Sequence, residues 1–281
     1  MKRKKGLVPV RSQITNFNRS DAIKDRDIVQ LIARLPFSAH GYKFEEVIGS
    51  GSFGVVFKVF HYGYKRYFAA KVLCKSQSTD QSQLDCEISI LTKLIHPSII
   101  KIYEYFEHQG KIVMILQYCP KGTLKGMIQP GTGIPKIHVK SYMKQILTAL
   151  QYLHENKIAH LDIKTTNVFI DDFQRPLLGD FGLSRCVAGE IQSYFGSFLY
   201  RSPEMIQQLP YDPFKADVWA LGVTFYIMVT GIEPFPSFNA DIMKKSIVEG
   251  KYQIPDNVDP GVSDVIQKML VVDPQQRPTI S

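Results

Sequence analysis

The sequence predicts an α+β protein in which a smaller β-rich region precedes a larger helical region, and three observations carry that reading. From Tyr42 to Gln117 the chain runs in short stretches of β-branched and aromatic residues separated by glycine-containing turns. Pro120-Lys121-Gly122 then punctuates it, and beyond that point apolar residues recur at helical spacing, as in Tyr142, Ile146, Leu150 and Leu153 of the segment 139–156. Within the helical region a short hairpin stands out: Val168-Phe169-Ile170, the polar turn from Asp171 to Arg175, and Leu177-Leu178. Three regions follow: a basic tail and amphipathic helix at 1–40, a β-rich unit at 41–119 and a helical unit at 120–281.

Composition narrows the class. The chain has 281 residues, 44% of them hydrophobic, which suits a globular protein with a sizeable core. Its longest apolar run, Val218 to Val229, is interrupted by Gly222 and Thr224 and is too short for a membrane span, so it reads as a buried helix. The basic start Met1-Lys2-Arg3-Lys4-Lys5 is followed by Gly6 to Val10, too short and proline-interrupted for a signal peptide. An intracellular, cytoplasmic protein is expected, with the basic run as a candidate nuclear import signal. The four cysteines, at 74, 86, 119 and 186, show no CxxC pairing and read as reduced thiols. Of the formal net charge of +8, six units lie within residues 1–20, which hold no Asp or Glu. A solvated basic arm is the expectation; no groove-reading motif accompanies it, so no nucleic-acid partner is expected. Nothing in the sequence sets an oligomeric state.

Taken in order, Ser20-Asp21 marks a helix start, and Ile28, Leu31, Ile32 and Leu35 form an apolar face that Pro36 ends. That face must dock on the protein body or on a partner. Phe44 to Ile48 then leads into Gly49-Ser50-Gly51-Ser52-Phe53-Gly54 and a second strand, Val55 to Phe60. A dinucleotide-binding turn would open a helix here, and a Walker loop would need Gly-Lys-Ser/Thr. What remains is a glycine-rich hairpin whose backbone N–H groups can approach phosphate oxygens. The strand Tyr67 to Leu73 carries Lys71 among apolar neighbours, and the helical pattern from Gln83 to Leu94 carries Glu87, with Leu84, Ile88, Leu91 and Ile95 on one face. Ile99 to Phe106 and Lys111 to Gln117 read as a hairpin across His108-Gln109-Gly110. Further on, Asp162 and Asn167 precede the hairpin already noted and Asp180 follows it, so two carboxylates and an amide converge at one end. Such a set suits Mg²⁺, which takes one or two carboxylates together with substrate phosphates, and leaves one carboxylate to orient a hydroxyl and accept its proton.

The run His160-Leu161-Asp162-Ile163-Lys164-Thr165-Thr166-Asn167, followed by Asp180-Phe181-Gly182, resembles the catalytic and magnesium loops of eukaryotic protein kinases of the serine/threonine type. The resemblance covers Tyr42 to Thr279 and implies the bilobal protein kinase fold, a small β-rich N-lobe and a larger α-helical C-lobe, with ATP and Mg²⁺ as cofactors and proteins as substrates. It implies that Lys71 binds the α and β phosphates and Glu87 anchors Lys71, with nearby Asp85 as the competing partner. Asp162 would orient the acceptor hydroxyl, Lys164 steady the transferred phosphoryl group, and Asn167 and Asp180 hold the metal. The nucleotide would lie against Ile48, Gly49, Gly51, Gly54, Val56, Ala69, Leu116, Gln117, Cys119 and Phe169, with Leu116 as gatekeeper and Gln117-Tyr118-Cys119 as hinge. In support, Asp217 would bond the catalytic-loop backbone, Ser197 would bond Asp162 and Lys164, and Glu204 would pair with Arg277. The compact C-lobe is most similar to the calcium/calmodulin-dependent kinase group.

Three departures from the family stand out. Leu161 replaces the arginine that usually receives an activation-segment phosphate, so phosphorylation of Ser193 is not expected to be required. Thr123, Thr166 and Ile227 stand where kinases that favour basic residues upstream of the acceptor carry carboxylates. The sequence ends just past Thr279, where the family's last helix would begin, which reads either as a fragment or as a C-lobe lacking that helix. The alternative function is a pseudokinase, a nucleotide-binding scaffold; every catalytic position being filled argues against it.

Overall fold

The computed structural model describes residues 30–51, 54–74, 81–194 and 196–280. The basic tail, the start of the predicted first helix and residues 52–53 of the glycine turn lie outside the described residues. Residues 30–33 are helical, and Leu31 is buried with Ile32 and Leu35 packed beside it. The described part of the predicted apolar face, Leu31, Ile32 and Leu35, therefore docks on the body of the protein.

What it docks on is a six-stranded sheet. Its strands are β1 (Phe37–Ala39), β2 (Tyr42–Gly51), β3 (Gly54–His61), β4 (Arg66–Cys74), β5 (Ile102–His108) and β6 (Lys111–Gln117), in the order β1-β2-β3-β4-β6-β5 with antiparallel pairing throughout. Side chains alternate across a strand, so the sheet has two distinct faces. Phe44, Phe57, Val59, Phe68, Ala70 and Ile115 form one core with Leu31, and Phe37 stacks on Phe44 at 4.3 Å. On the other face the register aligns Gly49, Val56, Lys71 and Met114 in one row across four strands, with Ala69 and Leu116 paired beside it. Of the predicted cofactor residues of the sheet, Gly49, Val56, Ala69, Lys71 and Leu116 thus fall on one surface, whereas Gln117, paired with Phe68, belongs to the opposite one. Strand β5 begins at Ile102 rather than at the expected Ile99, because Ile99 instead bridges Leu178 of the later hairpin.

Helix α1 (Gln81–Lys93) lies across that second face, burying Leu84, Ile88 and Leu91 against Leu73 and Met114. Ile95, expected on the same helical face, lies beyond the helix end and is 87% exposed; the periodic pattern outran the helix by two residues. The helical lobe follows: α2 (Leu124–Met127), α3 (Lys136–Glu155), the strand β7 (Ile158–Ala159), the hairpin β8 (Val168–Ile170) and β9 (Pro176–Leu178), the strand β10 (Arg185–Cys186), then α4 (Pro203–Ile206), α5 (Pro213–Thr230), α6 (Ala240–Glu249) and α7 (Pro260–Met269).

Helix α5 is the lobe's central support. Asp212 caps it by accepting from the Phe214 N–H, Pro213 opens it, and Gly231 closes it at φ 73°. It is apolar nearly all round and buried along its length, as the composition of Val218–Val229 predicts. Gly222 lets α7 approach: a Cβ there would stand 2.8 Å from Met269 Cβ. Among the described residues no helix is long and apolar enough to cross a membrane.

Candidate active site

One group of buried charges joins the two lobes. Lys71 on β4 is 8% exposed and its Nζ donates to Glu87 Oε1 on α1 at 2.7 Å and to Asp180 Oδ1 at 3.1 Å. Burial by itself lowers a lysine pKa, but the two carboxylates outweigh it and hold this ammonium well above its ordinary range. Asp180 reverses the signs: burial raises its pKa, and Lys71, with smaller contributions from His160 and Lys164, brings it below the usual carboxylate value. Of the two acidic candidates on α1, the structure gives Lys71 to Glu87, which is 5% exposed, while Asp85 is exposed.

Asp180 reaches the lysine because of the residues beside it. Its φ of 62° turns the chain sharply, and Phe181 is buried in the same core as Leu84, Ile88 and Leu91, with its ring 5.0 Å from that of His160. A non-glycine residue in the left-handed region is uncommon and is found where surrounding packing overdetermines it. Leu161, at φ 63°, is the second such residue at this site.

The catalytic loop is pinned from below. Asp217 of α5 accepts from the N–H groups of His160 and Leu161, both at 2.8 Å, and faces His154 Nε2 at 3.1 Å. So held, the loop presents Asp162, whose Oδ2 accepts from Lys164 Nζ at 2.7 Å and from Asn167 Nδ2 at 2.8 Å. Asn167 Nδ2 also donates to the Asp162 carbonyl oxygen, and the Asn167 carbonyl accepts from Gly179 N at 2.9 Å, tying the metal-site candidates Asn167 and Asp180 to the two ends of one hairpin. Of the two bonds expected of Ser197 the structure shows one: Lys164 donates to its Oγ at 3.2 Å, while Asp162 Oδ2 accepts from Lys164 and Asn167.

Donor chemistry and free space both fit a magnesium nucleotide. With the Asn167 amide nitrogen committed to Asp162, the amide oxygen is left to accompany the Asp180 carboxylate, an oxygen set of the kind Mg²⁺ completes with phosphate. In the glycine turn, Gly54 is required by the protein itself, since a Cβ would stand 2.2 Å from the Val72 carbonyl. Gly49 is not, because its Cβ would make only ordinary contact with Val56. The missing side chain at Gly49 leaves room that the fold does not use. Ile48, Val56, Leu116, Gln117, Cys119 and Phe169 are all partly exposed, and burial pushes the Cys119 thiol up to about 12, keeping it protonated.

Leu161 fills a role that its sequence position alone did not reveal. It is 7% exposed and packs with Val187, Met205, Tyr211 and Ala216, with Ile191 and Tyr194 against the same cluster. Ile191 and Tyr211 exchange both backbone hydrogen bonds, and Tyr211 Oη donates to the Ser193 carbonyl at 2.6 Å. The segment after Asp180 is thus docked through apolar contact and backbone pairing. Farther along, Glu204 and Arg277 form a buried two-pronged ion pair, both bonds 2.6 Å.

A sheet lobe and a helical lobe that meet across a buried lysine, two aspartates and an amide define the bilobal fold of protein kinases. The chain belongs to the protein kinase domain family, whose model matches residues 42–281. It is 35% identical to human NUAK family SNF1-like kinase 1 over 86% of this chain and 37% of the relative. It is 34% identical to the maternal embryonic leucine zipper kinase of Xenopus tropicalis, over 84% and 37%, and 33% identical to the carbon catabolite-derepressing protein kinase of Candida tropicalis, over 85% and 39%. The chain therefore spans about two-fifths of the length of these curated relatives.

Proposed function

We propose that the chain transfers the γ-phosphoryl group of ATP to serine or threonine hydroxyls of proteins, with Mg²⁺ as cofactor. The single observation that carries this reading is the Lys71 ammonium held between Glu87 and Asp180: it fixes a cation in the row of Gly49 and Val56 and orients a candidate metal-binding carboxylate at once. Bound Mg²⁺ would supply neutralisation of phosphate charge. Asn167 and Asp180 are the residues proposed to hold it, and Lys71 to bind the phosphates. Asp162 orients the acceptor hydroxyl and takes its proton as the oxygen bonds to the γ-phosphorus and the bond to ADP breaks; Lys164, 2.7 Å from Asp162, offsets the charge spread over the phosphoryl oxygens. The test is transfer of labelled phosphate from MgATP to a generic protein acceptor. ATP binding without transfer would favour a scaffold and sink this reading.

Two further outcomes are expected. Ser193 is exposed, and the segment around it is already held by the Leu161 cluster, so Ser193→Ala should leave turnover within about twofold, the range of a neutral surface change. Loss of activity in a folded Ser193→Ala protein would contradict the apolar docking. On substrate choice, no carboxylate stands at Thr123, Thr166 or Ile227, and Lys121 and Lys125, two positions either side of Thr123, are exposed. A peptide array should show weak selection for upstream arginine; an array dominated by basic upstream motifs would refute this.

A further inference from the structure

The roles assigned above leave one buried hydroxyl of the catalytic loop unused, that of Thr165, which is 1% exposed. A hydroxyl taken from water costs free energy unless it is bonded, and this one is bonded across the loop. Its Oγ1 lies 3.2 Å from Tyr200 Oη, in the single 3₁₀ turn Phe198–Tyr200 that precedes α4. The Thr165 carbonyl accepts from the Lys125 N–H at 3.0 Å, near the start of α2. One residue, three positions after Asp162, thus fastens the catalytic loop to an element on either side of it. Tyr200 in turn lines, with Asp162, Ser197 and Arg201, a pocket at the catalytic loop. Burial raises the Tyr200 pKa, so its hydroxyl keeps its proton at neutral pH.

We propose that Thr165 is a positioning residue for the protein acceptor: its hydroxyl sets Tyr200, and its carbonyl sets α2, as the two walls between which the acceptor segment lies beside Asp162. The proposal rests on the kinase reading above. It separates acceptor binding from nucleotide binding, because the phosphate-facing groups Lys71, Glu87 and Asp180 share no bond with Thr165.

The experiment is steady-state transfer by the full chain from MgATP to a peptide acceptor, with KM taken separately for each substrate. Thr165→Val, close in shape but without the hydroxyl, should raise peptide KM about five- to tenfold, the factor that one net hydrogen bond is worth, and leave ATP KM unchanged. Thr165→Ser should restore the wild-type value. Tyr200→Phe should match Thr165→Val, and the double variant should be no worse than either, since both remove the same bond. Unchanged peptide KM in an active Thr165→Val enzyme would overturn the proposal, as would a parallel rise in both KM values with a lowered melting temperature, the signature of a merely structural bond. Absence of transfer by the wild-type chain would instead overturn the kinase reading, and this proposal with it.

Discussion

Asp162→Asn is expected to lower turnover by roughly 10²- to 10⁴-fold, the range over which a positioned general base contributes, while ATP affinity stays within about twofold. Asp162 Oδ2 is held by Lys164 and Asn167, and the loop beneath it is fixed by Asp217, so an isosteric amide keeps the frame. What it loses is the negative charge that orients the acceptor hydroxyl and the basicity that receives its proton. The phosphate-facing group of Lys71, Glu87 and Asp180 makes no hydrogen bond to Asp162, which is why nucleotide binding should survive. Single-turnover transfer beside a nucleotide-binding measurement checks both halves. Turnover within tenfold of wild type would remove Asp162 from the base role, and a joint collapse of turnover and ATP binding would mean that the substitution had disturbed the frame.

Much of this site could be read before the fold was known, for a physical reason. The polar residues that must converge are clustered in sequence around one short hairpin, Val168–Ile170 with Pro176–Leu178, so local turn chemistry already brings Asp162, Asn167 and Asp180 together. Lys71 and Glu87 needed the sheet, since 16 residues and a strand-to-helix transition separate them. Less was legible wherever a residue's partner is distant and its chemistry ordinary. Leu161 announced which bond it could not make, but not the apolar cluster with Val187, Met205 and Tyr211 that takes its place. Thr165 reads as one more polar loop residue, and its bond to Tyr200 spans 35 positions. Periodicity marked Leu31 and Leu35 as one apolar face, yet the sheet surface they cover is assembled from five strands and has no signature within the helix itself. Ile95 fitted the period and missed the helix, because pattern matching does not register where the backbone bonds stop.

Arg277→Met is expected to cost about 3 to 5 kcal/mol of folding stability, the usual consequence of removing one partner of a buried ion pair, against a total of roughly 5 to 15 kcal/mol for a native protein. The guanidinium is fully enclosed, with both terminal nitrogens on the Glu204 carboxylate at 2.6 Å. Its remaining donor capacity goes to the carbonyls of Val271, Val272 and Lys215, and the group lies 5.1 Å from the Trp219 ring centre. Methionine would fill some of the volume but strand a buried carboxylate and three carbonyls. Lysine should do little better, because it brings a compact ammonium where a planar fork is needed. Glu204 sits on α4, immediately after the docked segment, and Trp219 and Lys215 sit on α5, so the pair joins the end of that segment to the helix that carries Asp217. Loss of stability should therefore be accompanied by loss of catalytic-loop order. Chemical denaturation of Arg277→Met, Glu204→Gln and the double variant decides the matter: each single change should shift the midpoint strongly, and the double should fall well short of their sum because the second removal leaves no unpaired charge behind. A single variant within about 1 kcal/mol of wild type, or strict additivity in the double, would show that α4 and α5 are held by packing alone.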